Sequence, residues 1–346
     1  MASSRRPDRT PSIGWLIAAG VAGGVLAARA ALRARRLYDL RGKVVLITGG
    51  SRGLGLVLAR AFAYAGARIA VCARDAGEIE RARGDLAARG IEVFGVSCDL
   101  TERVGVERLV REVRAHYGRI DVLVNNAGLI QVGPMETMTP ADYEEALRIH
   151  FWAPLYTMLA VLPEMRRRRS GRIVNISSVG GKISMPHLLP YCSSKFALTG
   201  LSQGMRAALL QDNVFVTTVC PGLLRTGSPR NAFFKGYHRA EYTWFSISDS
   251  LPILSMGAPR AARQIVAACR RGDAELVLPT MAKVWVTAHA LFPGLVTDLL
   301  GSLERTLPQP GGIGSAREPG ARSSSALSPS PLTLLGDSAA VRNNEI

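Results

Sequence analysis

The chain has 346 residues, 47% hydrophobic, 6% aromatic and 20% charged, with a formal net charge of +16 at pH 7. That apolar content supports a buried core and excludes a wholly disordered chain. The five cysteines (Cys72, Cys98, Cys192, Cys220 and Cys269) form no CxxC pair, and no His/Cys cluster has zinc spacing. Neither a disulfide framework nor a metal site is expected, and free thiols in apolar contexts suit a reducing compartment.

The first feature along the chain is an uncharged, largely apolar stretch, SIGWLIAAGVAGGVLAA, over 12–28. Its length falls at the short end of the roughly 17–25 residues that span a bilayer, and Trp15 stands near one edge. The stronger basic cluster, Arg29, Arg33, Arg35 and Arg36, follows it, so the positive-inside rule puts the rest of the chain in the cytoplasm. Residues 1–40 are therefore read as a retained membrane anchor and basic linker. The rival is a cleaved export signal built on the pair Arg5 and Arg6, which Pro7, Asp8 and Arg29 disfavour.

From residue 43 short apolar segments alternate with amphipathic ones. Strands are predicted at 44–47, 68–73, 92–97, 121–124, 172–176, 214–220 and 275–278. Helices are predicted at 54–64, 79–88, 104–117, 141–147 (resuming to 165), 193–210 and 259–270. This pattern predicts an α/β fold over 41–280: a doubly wound parallel sheet, a Rossmann fold, with helices on both faces. Ligands of such sheets bind beyond the C-terminal strand ends. The basic run Arg166, Arg167, Arg168, Arg169 and Arg172 has neither base-stacking aromatics nor a reading helix. It is read as a solvated helix end, and no nucleic-acid partner is expected.

The first strand runs into Thr48-Gly49-Gly50-Ser51-Arg52-Gly53-Leu54-Gly55. Glycines permit a tight turn and close backbone approach, and the following helix offers free N–H groups to a pyrophosphate. Farther on, Tyr191 and Lys195 stand four residues apart, on one face of a predicted helix, and Ser178 lies thirteen residues before the tyrosine. Carbonyl reduction needs a hydride and a proton. A free phenol titrates near 10, a neighbouring ammonium is expected to lower that value, and a serine hydroxyl can hold the carbonyl oxygen.

The TGxxxGxG loop resembles that of the short-chain dehydrogenase/reductase family, over about residues 40–278. Other motifs agree: Asp99 after the third strand, Asn125-Asn126-Ala127-Gly128 after the fourth, Pro221-Gly222 with Thr226 after the sixth, and YxxxK. The resemblance implies Tyr191 as general acid/base, Lys195 tuning it and binding ribose, and Ser178 orienting the carbonyl. It implies cofactor contacts from Gly49, Ser51, Arg52, Leu54, Gly55, Arg74, Asp99, Leu100, Asn125, Asn126, Ala127, Tyr191, Lys195, Gly222 and Thr226. It also implies a homo-dimer or tetramer. His150 stands where the family has an asparagine that helps hold a water beside the lysine. Either the imidazole sustains that relay or His150 has no catalytic role.

The second strand ends Cys72-Ala73-Arg74, with no acidic residue where NAD-preferring members place one. Arg52 and Arg74 would attract a 2′-phosphate, so NADP(H) is expected over NAD(H). The stretch 226–259 carries Phe233, Phe234, Tyr237, Tyr242, Trp244 and Phe245. These are read as a cover over an apolar carbonyl or alcohol substrate, or as the packing of a long loop. Residues 281–307 are read as an apolar helical extension broken by Pro293 and Gly294, either packed on the core or lying on a membrane. Residues 308–346, rich in Pro, Gly, Ser and Ala, are expected to be disordered. The leading expectation is an NADP(H)-linked oxidoreductase at a membrane; the alternative is a membrane-attached cofactor-binding regulator or scaffold without turnover.

Overall fold

The computed structural model describes residues 33–346 together with Gly23, Gly24, Ala27, Ala28, Ala30 and Ala31. The anchor expected over 12–28 therefore lies mostly outside the described residues.

Seven parallel strands form the central sheet: β1 (Val44–Thr48), β2 (Arg68–Ala73), β3 (Val93–Ser97), β4 (Val122–Asn125), β6 (Gly171–Ile176), β7 (Val214–Pro221) and β11 (Glu275–Leu278). Their spatial order is β11-β7-β6-β4-β1-β2-β3. The direction of winding reverses between β1 and β4, which opens a crevice beyond their C-terminal ends. Every residue of β1, β4, β6 and β7 is buried, so these strands carry apolar side chains toward both faces.

One face is covered by α1 (Gly53–Tyr64), α2 (Ala76–Ala87) and α8 (Ala258–Arg271). The other is covered by α3 (Arg103–Tyr117), α5 (Ala153–Arg167) and α6 (Leu189–Leu209). Helix ends follow local chemistry. Asp75 caps α2 by accepting from the Glu78 N–H, and α3 stops at Gly118, whose φ of 81° few other residues tolerate. Phe62 of α1 is fully buried, and its truncation to alanine would cost about 3–5 kcal/mol. Between β4 and α5, α4 (Pro140–Leu147) starts at a Thr139/Asp142 capping box and runs into a π-helical turn, Arg148–Trp152.

The basic run is more than a solvated helix end. Arg166 pairs with Asp212 at 2.7 Å, and Arg168 pairs with Glu164 and donates to the Ile120 carbonyl. Arg172 is buried, stacked on Tyr38 and Phe215, and donates to the carbonyls of Arg36 and Cys269.

The stretch 226–259 is also more ordered than a loop, for it contains α7 (His238–Ser250). Phe234, Tyr242 and Phe245 form a small core of their own. Two short sheets tie this region down: β8 (Leu223–Arg225) with β10 (Ser255–Gly257), and β5 (Gln131–Val132), β9 (Phe233–Phe234) and β12 (Glu318–Pro319).

After β11 come α9 (Thr280–Leu291) and α10 (Pro293–Glu304), bent by 120° at the break that Pro293 makes. No single helix among the described residues is long and apolar enough to cross a membrane. The expectation for 308–346 is corrected. That segment supplies β12 and α11 (Leu334–Arg342), buries Ala339 and Ala340, and returns to the loop after β1. Its low-complexity composition hides a few specific anchors, such as Asn344 on the Ser51 carbonyl.

Candidate active site

A cavity of about 1330 Å³ lies beyond the C-terminal ends of the sheet strands. Its first wall is the phosphate loop. Gly49 takes a φ of 61°, and a Cβ there would come within 2.8 Å of the Ala127 backbone, so only glycine fits. The Thr48 hydroxyl accepts from the Asn126 and Ala127 N–H groups, and Asn126 Nδ2 donates to the carbonyls of Thr48 and Gly49. These bonds lock the loops after β1 and β4 together. Ser51 Oγ donates to Glu78, and Arg52 pairs with Glu78 at 3.1 Å. Arg74 is exposed at the end of β2 and has no ion-pair partner among the described residues.

Of the sequence-predicted cofactor residues, Gly49, Ser51, Arg52, Leu54, Arg74, Asp99, Leu100, Asn126, Ala127, Tyr191, Lys195, Gly222 and Thr226 line this cavity. Gly55 and Asn125 do not. A Cβ on Gly55 would collide with the Gly49 carbonyl, so this glycine seats the helix under the loop. Asn125 is buried in a cross-strand network, donating to Asn175 Oδ1 at 2.9 Å and accepting from Thr157 Oγ1 at 2.7 Å.

The predicted catalytic residues come together. Tyr191 and Lys195 lie one turn apart near the start of α6, and Ser178 follows β6. Ser178 Oγ accepts from the Gly180 N–H at 2.9 Å, while the Pro221 carbonyl that it donates to is a long 3.4 Å away. The hydroxyl proton is thus available to a ligand. A Cβ on Gly181 would lie 2.6 Å from the Lys195 carbonyl, so this glycine lets α6 press against the Ser178 turn.

The electrostatics differ from the sequence expectation. Burial pushes the Tyr191 phenol up to about 12, with the Ser178 hydrogen bond the main opposing influence. Burial pushes the Lys195 ammonium down to about 7, and its Nζ donates to the Ile176 carbonyl at 2.9 Å. Desolvation of both groups outweighs the expected lowering of the phenol by the ammonium.

His150 is buried in the π-helical turn, edge-on to Tyr191, with ring centroids 5.4 Å apart. Its Nε2 accepts from the Leu129 N–H at 3.2 Å. Its Nδ1, 2.7 Å from Ser194 Oγ, therefore carries the proton and donates. Burial first, and Lys195 second, hold its pKa well below the usual value, so the ring is neutral. Both nitrogens are engaged by protein groups, which leaves neither for a water. A Cβ on Gly128 would lie 2.8 Å from His150 Nε2 and 3.8 Å from Lys195 Nζ, so the glycine of the NNAG motif makes room for both.

The far half of the cavity is apolar. Trp244 and Phe245 of α7 line it, along with Met281, Trp285, Val296, Leu299 and Leu300 of the α9–α10 pair. Nothing in the sequence pattern marks α9 and α10 as this wall. Sequence reasoning also missed two lining residues: Asp249, buried with one carboxylate oxygen unpartnered and its pKa raised by burial to about 8, and Glu345.

A doubly wound sheet with a glycine loop, a Tyr/Lys helix and a serine facing one crevice defines a nucleotide-dependent oxidoreductase. The comparisons agree: the short chain dehydrogenase family profile matches residues 43–233. Dehydrogenase/reductase SDR family member 7B of Bos taurus is 32% identical over 77% of this chain and 82% of its own length. A short-chain dehydrogenase from Streptomyces avermitilis superposes with a TM-score of 0.64 at 29% identity, covering 77% of this chain and 99% of that one. A single-residue variant of actinorhodin polyketide ketoreductase, solved with NADPH, gives 0.62 at 28% identity, covering 68% and 95%. The chain belongs to the short-chain dehydrogenase family; it is an oxidoreductase that binds a nicotinamide cofactor and acts on a small-molecule substrate.

Proposed function

We propose that the chain interconverts a carbonyl and an alcohol on an apolar, lipid-like substrate, with NADP(H) preferred over NAD(H). The observation that carries this reading is one cavity holding Tyr191, Lys195 and Ser178 between an arginine-bearing phosphate loop and an apolar wall. The chain's cradle fits a dinucleotide: glycines where the loop closes on Ala127, an exposed Arg74 that would hold a 2′-phosphate, and Asp99 lining the cavity after β3, where it would hold the adenine. Asp75, the carboxylate nearest Arg74 in sequence, caps α2.

When bound, the nicotinamide supplies or takes the hydride. The protein's own part is proton transfer. Tyr191, protonated at neutral pH, donates its proton to the carbonyl oxygen as reduction proceeds, so hydride and proton together make the alcohol. Ser178 Oγ donates to the same oxygen and holds it beside the phenol. Lys195, titrating near neutrality, replaces the proton that Tyr191 gives up. Trp285, Leu299 and Leu300 give the substrate side an apolar lining.

His150 belongs to the scaffold that fixes α6 against the NNAG turn. Membrane attachment through 12–28, a cytoplasmic catalytic domain and a homo-dimer or tetramer complete the proposal. NADPH oxidation by the detergent-solubilised protein, across hydrophobic aldehydes and ketones with NADH in parallel, tests it; tight NADPH binding without turnover would favour the regulatory alternative.

A further inference from the structure

Residues 343–345 cross the crevice that the proposed function gives to the dinucleotide. α11 packs its buried Ala340 so tightly on Gly227, whose φ is 94°, that no side chain fits at that glycine. The segment after α11 then lies on the phosphate loop. The Gly53 N–H, at the first residue of α1, donates to the Asn343 carbonyl at 2.8 Å. Asn344 Nδ2 donates to the carbonyls of Ser51 at 2.9 Å and Glu78 at 3.2 Å, and Arg81 Nε donates to its Oδ1 at 2.9 Å. The Glu345 carboxylate is buried, accepts from Asn231 Nδ2 at 2.6 Å, lies 3.7 Å from Arg52 Nε and would collide with any Cβ on Gly53.

The opposite wall is held as well. Asn343 Nδ2 donates to the Thr226 carbonyl at 3.1 Å, and Arg60 donates to Asn343 Oδ1 and to the Arg342 carbonyl. The segment thus joins the loop after β1 to the loop after β8, two of the loops assigned to the cofactor.

An amide at a helix start, with an arginine beside it, is a site for an anion. A buried carboxylate is tolerated only where it has partners, and Glu345 finds them in Arg52 and Asn231. A pyrophosphate lodged on this loop would call on the same amide and need the space of the Glu345 carboxyl, which burial raises to about 7 and which, where ionised, it would also meet as a like charge. We propose that residues 343–345 are an intramolecular competitor of the dinucleotide, with Glu345 and Asn343 holding the anion site of the phosphate loop closed until cofactor displaces them. The proposal rests on the reading of the crevice as a nicotinamide dinucleotide site. A lid that closes over bound cofactor would leave the loop amide to the phosphates; this segment takes the amide for itself and shares Arg52 with Glu78.

Displacement lowers apparent affinity by the fraction of molecules with the segment open. Equilibrium binding of NADPH, followed by its fluorescence, is compared among the full chain, a chain lacking residues 342–346, and the point variants Glu345→Gln and Asn344→Ala, which leave α11 whole. The deletion is expected to tighten NADPH binding by about tenfold, and each point variant by a smaller factor in the same direction. Unchanged or weaker binding in the deletion and in both point variants overturns the competitor proposal and leaves the cofactor reading standing. If neither the full chain nor any variant binds NADPH, the cofactor reading falls and the proposal with it.

Discussion

The ammonium of Lys195 donates to the Ile176 carbonyl, 2.9 Å away, although Tyr191 stands one helical turn from it and its ring centroid is only 5.6 Å from Nζ. The lysine is held by the sheet end and stripped of water, so its proton is loosely bound. The same burial makes the neighbouring phenol hold its proton tightly.

This has a sign in stability. Lys195 is depressed from 10.5 to about 7 in the folded protein. Between those values the unfolded chain carries the proton and the folded chain does not, so this group's contribution to stability rises with pH across pH 7–10 and is lowest below pH 7. The slope is at most about 1.4 kcal/mol per pH unit. Lys195→Met removes the ionisable group and should flatten that rise. Denaturant unfolding of both cofactor-free chains at pH 7, 8 and 9 measures it; parallel curves would show that Lys195 is not depressed.

His150 should matter for stability and not for the pH profile. His150→Ala strips the Leu129 N–H of its acceptor, while Ser194 Oγ keeps its bond to the Tyr191 carbonyl; the unpaired N–H costs about 1–3 kcal/mol. Its pKa lies well below 6.5, so no inflection of the rate between pH 6 and 9 belongs to it. His150→Asn should lower the melting temperature and leave the shape of the pH–rate curve unchanged. Loss of an inflection near neutrality would restore the relay.

Arg74 should report on the 2′-phosphate. It is exposed and unpaired among the described residues, so Arg74→Ala removes no internal bond. Losing a charge-assisted bond to phosphate costs about 1.5–3 kcal/mol, or roughly ten- to a hundredfold in affinity. NADPH binding should weaken by that factor while NADH binding stays the same. An equal effect on both would remove the basis for the NADP(H) preference.

The apolar wall should set substrate size. Trp285 of α9 lines the cavity and is half exposed. Trp285→Ala should raise KM about tenfold for long-chain carbonyls and leave short ones nearly unaffected, as expected for the loss of about 1–3 kcal/mol of apolar contact. Steady-state kinetics across a chain-length series would show a uniform change if the wall only supported the fold.

The sheet and the Tyr191/Lys195/Ser178 cluster were legible because they are local. Strands buried on both faces read as apolar runs, the phosphate loop as glycines between a strand and a helix, and the YxxxK pair as one face of a helix. Asn125 and Gly55, read as cofactor contacts, do not line the cavity: the Asn125 amide turns into the cross-strand network, and Gly55 seats α1 under the phosphate loop, distinctions that motif membership does not carry. The segment 308–346 was illegible for another reason. Its anchors, such as Asn344 on the Ser51 carbonyl, join residues 293 positions apart, and a few such bonds leave no periodicity in the sequence. In the aromatic stretch Phe234 and Tyr242 pack on each other, as the packing reading expects, while Trp244 lines the cavity.

The central claim is that Tyr191 supplies the proton in carbonyl reduction. The direct measurement is single-turnover NADPH oxidation with a hydrophobic ketone or aldehyde by the intact protein and by Tyr191→Phe, with NADPH affinity determined for each. A proton donor at Tyr191 predicts loss of at least about a hundredfold in the chemical step and unchanged affinity. Turnover retained in Tyr191→Phe would contradict it.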